Sequence, residues 1–125
     1  AKPNRALMGT ACSWGGYLGD SGTVKSTVKD AAHPIAKGIE EFTIAHHERY
    51  RDPYAVPKPD SVMFDGLATM KDGKADLSQM GFAWQVGKGR MFYFQAGHET
   101  DPVFMDKNVR KIMANAVVWA RPQKA

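Results

Sequence analysis

The run MGFAWQVGKGRMFYFQAGHE, residues 80–99, constrains this chain most. Two apolar or alternating stretches, 81–86 and 90–95, are joined by Gly87-Lys88-Gly89. Glycine reaches positive φ at little steric cost, which tight hairpin turns need, so the segment predicts a β-hairpin. Met91-Phe92-Tyr93-Phe94 is apolar at both parities. Successive side chains on a strand point to opposite faces, so this strand is expected to be covered on both sides.

A helix is expected to close the chain. Val109, Ile112, Met113, Ala116, Val117 and Ala120 follow the i, i+3, i+4, i+7, i+8, i+11 spacing of one helical face. Asp106 fits the N-cap and Pro122 stops the helix. Trp119 is expected at the edge of that stripe.

Between the glycine-rich start and the hairpin, the pattern alternates strands with turns. Residues 7–22 read as a loop, or a short element followed by a loop. Residues 23–30, TVKSTVKD, read as a strand. In AAHPIAKGIEE, Pro34 suits a first helical turn and Gly38 ends it. Residues 41–50, EFTIAHHERY, read as one strand with Phe42, Ile44, His46, Glu48 and Tyr50 on a common face. RDPYAVPKPD is irregular or extended, since its prolines forbid a helix. SVMFDGLAT, residues 61–69, reads as a strand, and Asp72-Gly73 marks a turn.

Composition narrows the function classes. With 125 residues and 43% hydrophobic content, one domain or a large piece of one is expected, and disorder is not. The net charge of +4 is spread along the chain without basic runs, which argues against nucleic-acid binding. No apolar run approaches the roughly 20 residues of a membrane span. The lone cysteine, Cys12, forms no intrachain disulfide and fits a reducing compartment without requiring one.

Four segments in register resemble the ThuA-like (trehalose utilisation) family: HPIAKGIEEF, FTIAHHERYRDPYAVPKPD, FAWQVGKGRMFYFQAGHE and DPVFMDKNVRKIMANAVVWA. The resemblance covers about residues 7–122. It implies an α/β fold, the C-terminal part of a doubly wound domain of the flavodoxin-like or class I glutamine amidotransferase-like kind, with a hairpin and a closing helix. In that family, strand–helix units forming the parallel half precede this segment, so an oligomer or a partner chain supplying that half is expected.

The resemblance also places the site. His98 and Glu99 follow the apolar strand, and sites in open α/β sheets gather beyond the carboxyl ends of strands. A His beside a carboxylate there suits a general base or a metal ligand; the plainer alternative is a loop-closing His and a solvated Glu. Glu48 and Tyr50 match the family's strand. Glu48 is expected as a second carboxylate, and His46 with His98 as ligands of a divalent metal such as zinc. The alternative there is a surface His pair beside a structural Glu. Tyr50 and Trp84 are the candidates for stacking on sugar, although most aromatic residues of such a chain pack internally. Arg90 is expected to hold the hairpin turn. Cys12 lacks the strand-to-helix elbow that an amidotransferase nucleophile requires. The implied function is a hydrolase or lyase acting on a disaccharide or its keto derivative. The alternative is a non-catalytic sugar-binding or scaffold domain.

Overall fold

The computed structural model describes residues 14–18, 22–45, 48–54, 56–70, 72–97 and 102–122. The strands are β1 (Trp14–Leu18), β2 (Thr23–Val28), β3 (Phe42–Ile44), β4 (Arg49–Tyr54), β5 (Ser61–Thr69), β6 (Ala75–Val86) and β7 (Gly89–Phe94). A 3-10 turn spans Pro34–Ala36 and another spans Pro102–Met105. One helix, α1 (Lys107–Ala120), closes the chain. The main sheet has the order β3-β2-β5-β6-β7, and its pairings are antiparallel; β1 and β4 form a separate antiparallel pair. The chain is thus a mixed α/β unit, as expected of part of a larger α/β domain.

The hairpin forms where the sequence places it. Val86 pairs with Gly89, and Gly87 takes φ 59° in the turn between them. β6 starts earlier than expected, at Ala75, because Ala75–Gln79 finds partners along the second half of β5. The alternation of β7 serves two faces. Phe92 and Phe94 pack against the core, while Tyr93 meets Phe82 at 5.2 Å between ring centroids on the other side.

The core lies between the sheet and the layer formed by α1 and the 3-10 turn at Pro34–Ala36. Phe64, Met63, Met80, Ile35, Val109 and Ile112 are fully buried in it. Each such side chain contributes about 1.5–3 kcal/mol relative to exposure. α1 begins as expected: the Asp106 carboxylate accepts from the amides of Asn108 and Val109 at 2.7 and 3.2 Å. A cap of this kind contributes about 1 kcal/mol. Val109, Ile112 and Ala116 face the core, but Val117 is 72% exposed, so the buried stripe is narrower than the periodicity implies.

Asn115 ties α1 to the 3-10 turn within that layer by donating to the carbonyls of Ile35 and Lys37. Gly38, expected to end the turn before it, has φ 67°, and Lys111 donates to its carbonyl at 2.7 Å. That conformation is one few non-glycine residues adopt.

Residues 41–50 are not one strand. β3 ends at Ile44, which pairs with Val24. The chain bends at Ala45, directly after the last pair of that ladder. Residues 49–54 then join β1 instead. The common face expected for Phe42, Ile44, Glu48 and Tyr50 therefore does not exist. No helix among the described residues is long and apolar enough to cross a membrane.

Candidate functional site

Glu48 and Tyr50 lie where β4 begins, and the end of β7 comes alongside them. The Gly97 amide donates to the Glu48 carbonyl at 3.1 Å. The Tyr50 amide donates to Gln95 Oε1 at 2.9 Å. The Tyr50 hydroxyl donates to Glu48 Oε1 at 3.1 Å. In extended backbone, residues two apart point the same way, which brings phenol and carboxylate together.

Gln95 fixes this junction. It is 4% exposed, and its own amide donates to the Met80 carbonyl at 3.0 Å. Its side-chain oxygen takes the Tyr50 amide, while its Nε2 is buried without a hydrogen-bond partner among the described residues. Buried polar groups are rarely left so, and they concentrate where function or strain demands them. The sequence reading missed Gln95. The available signal was a single amide ending an otherwise apolar strand.

Gly97 completes the junction. Its φ is 150°, and a Cβ there would lie 3.0 Å from the Phe104 ring. The backbone thus approaches an aromatic wall at the residue preceding His98.

Of the residues expected in the site, the structure brings Glu48 and Tyr50 against the strand end that leads into His98 and Glu99. His98, Glu99 and His46 themselves lie outside the described residues. Cys12 does too. Among the described residues no group of three or more His, Cys, Asp or Glu side chains is placed to hold a metal. Glu48 alone of the expected donor set is described, with one carboxylate oxygen already engaged by Tyr50.

Trp84 is not part of this junction. It lies four residues beyond Met80 on β6, about 13 Å away at the usual strand rise. The indole is 6% exposed, meets Phe82 edge-on, and donates from Nε1 to the Pro57 carbonyl at 3.0 Å. It borders a cleft of about 360 Å³ that Arg90 and Trp119 also line. Arg90, expected to hold the hairpin turn, instead donates to the Trp119 carbonyl at the end of α1.

His33 stands on the same cleft, 5.3 Å from the Trp119 ring. Its Nδ1 accepts the Ile35 amide at 3.2 Å and caps the 3-10 turn. Burial pushes the imidazole pKa below its ordinary value; Asp30 opposes this and Arg90 adds to it.

The family model described as ThuA, trehalose utilisation, matches residues 2–120. No curated protein matches the chain.

Proposed function

The chain belongs to the ThuA family, whose role is in trehalose utilisation, and from that membership we propose that it acts as an enzyme on a disaccharide such as trehalose or on a keto derivative of one. The reaction centre is the junction of Glu48, Tyr50 and the residues following Gly97. His98 serves as general acid or base, with Glu99 orienting it. Glu48 provides a second carboxylate, held by the Tyr50 hydroxyl. The observation that supports this reading best is the hydrogen bond from the Gly97 amide to the Glu48 carbonyl. It joins two sequence stretches, 49 residues apart in the numbering, that both carry acid–base chemistry.

A carboxylate and a His–Glu pair suit hydrolysis of a glycosidic bond or proton abstraction beside a carbonyl. A divalent metal such as zinc would be held by His46, His98 and Glu48, and would supply Lewis-acid activation. Association with a second copy or a partner chain belongs to the same reading, and sedimentation checks it.

Turnover of trehalose and of its keto derivative by the protein, by His98→Ala and by Glu48→Gln tests the proposal. Loss of about 100-fold or more in kcat/KM in both variants, with unchanged circular dichroism, is expected. Retained turnover in both variants, or binding without turnover by the parent protein, overturns it.

A further inference from the structure

We propose that the cleft between the end of α1 and the hairpin ends of β6 and β7 is a second binding site, separate from the Glu48–Gly97 junction, for a neutral polyhydroxylated ring such as a sugar. The inference does not rest on the catalytic reading, since the cleft's lining is the same whatever the junction does.

Its volume of about 360 Å³ falls within the range of small-molecule sites. One wall is aromatic and rigid. Trp119 is fixed by the Arg90 guanidinium 5.2 Å from its centroid and by the His33 ring at 5.3 Å. Trp84, fixed by its bond to Pro57, is only 6% exposed, so Trp119 is the indole that offers surface. An indole held in place offers an apolar surface to the C–H side of a sugar ring at little entropic cost.

The rest of the lining is polar, with hydrogen-bonding capacity beyond what the fold consumes. Arg90 uses Nη1 on the Trp119 carbonyl and makes no ion pair among the described residues. Asp60 accepts the Gln85 amide through Oδ2 at 2.7 Å, which leaves Oδ1 for another donor. Gln85 donates its own Nε2 to the Gly87 carbonyl, which leaves Oε1 as an acceptor. Ser61 adds a hydroxyl. The cleft thus has both donors and acceptors, as a ligand of hydroxyl groups requires.

Charge selects among such ligands. Arg90 and Asp60 carry opposite signs in one cleft. His33 presents a neutral ring, because its Nδ1 accepts a hydrogen bond from the Ile35 amide. No net charge remains to hold a phosphate or a carboxylate, so a neutral ligand fits best.

Indole N–H signals in a proton–nitrogen correlation spectrum test this, with trehalose as the probe. A saturable shift of the Trp119 signal is expected. Asp60→Asn keeps the oxygen that the Gln85 amide needs, and Ser61→Ala is a small deletion; each is expected to weaken binding about fivefold or more. Glu48→Gln is expected to leave the affinity within about twofold, because Glu48 lies outside the cleft. Absence of a saturable shift at tens of millimolar trehalose overturns the proposal. So does unchanged affinity in both Asp60→Asn and Ser61→Ala. Loss of the Trp119 shift in Glu48→Gln or His98→Ala shows a single site and overturns the separation. Glucose 6-phosphate binding about tenfold tighter than trehalose overturns the neutral class, and glycerol matching trehalose overturns the requirement for a ring.

Discussion

Arg90 Nη1 donates to the main-chain carbonyl of Trp119 at 2.8 Å, and its guanidinium lies 5.2 Å from the centroid of that residue's indole. Carbonyls in the last turn of a helix lack intrahelical partners, and a cation near them also complements the helix dipole. One side chain from β7 therefore anchors the end of α1 to the sheet.

Arg90→Lys is accordingly not conservative. An ammonium group cannot hold the carbonyl and present a flat cation to the indole together. We expect a loss of about 1–2 kcal/mol in urea unfolding, after allowing for partial exposure of the site. A loss below about 0.5 kcal/mol, the size of ordinary surface changes, counts against the anchor.

His33 gives the fold a defined response to acid. Its folded-state pKa lies below the ordinary value of 6.5, with burial as the leading cause. The unfolded chain therefore takes up the proton more readily. The stabilising contribution is fully present above pH 6.5 and is lost as pH falls through the folded-state pKa. Protonation also removes the Nδ1 acceptor that caps Ile35. Asparagine at this position keeps a capping oxygen but does not titrate. Urea unfolding between about pH 7.5 and about pH 5 should show a shallower loss of stability in His33→Asn than in the parent. Equal slopes exclude His33 as a source of the acid response.

Local periodicity made the closing helix, the hairpin and residues 61–69 legible, because each carries its own cap, turn or alternation. What stayed illegible depends on partners distant in sequence. The strand read through residues 41–50 stops at Ile44, where the chain bends, and residues 49–54 pair with β1 instead. Residues 75–79 precede the stretch expected as the first hairpin strand, yet they lie in β6 opposite β5. In the site, Glu48 and Tyr50 were expected from their match to the family's strand. Gln95 was not, since an amide becomes informative only once its burial and its bond to Tyr50 are known. Trp84 and Tyr50 look equivalent as aromatic residues, and only the register of β6 places them at different ends of the hairpin.

Gly97→Ala tests how tightly the junction is built. The new methyl group would sit 3.0 Å from Phe104 Cζ, in a backbone conformation that alanine rarely adopts. Phe104 is 53% exposed and can yield, so the backbone supplies most of the cost. We expect a loss of about 1–2 kcal/mol in thermal unfolding. Turnover should fall by more than stability explains, since the amide that binds Glu48 moves. A variant with parent-like stability and turnover shows that neither the approach nor the amide matters.

Gln95 separates two roles that one side chain combines. Gln95→Leu removes the acceptor for the Tyr50 amide together with the unpartnered Nε2. The first change costs stability and the second recovers part of it, so the net loss should be about 1 kcal/mol. Gln95→Glu keeps an oxygen for Tyr50 but places a carboxylate at a position only 4% exposed. Burial raises the pKa of such a carboxyl, so the charged form is costly near neutral pH and the protonated form is nearly isosteric with glutamine. Gln95→Glu should therefore be less stable than Gln95→Leu at about pH 7.5 and should approach the parent at about pH 5. The junction then softens with rising pH in this variant alone, and activity assigned to Glu48 and His98 should fall with it. If Gln95→Glu unfolds at the same urea concentration as the parent at both pH values, the amide is not confined as the structure has it, and it does not position Tyr50.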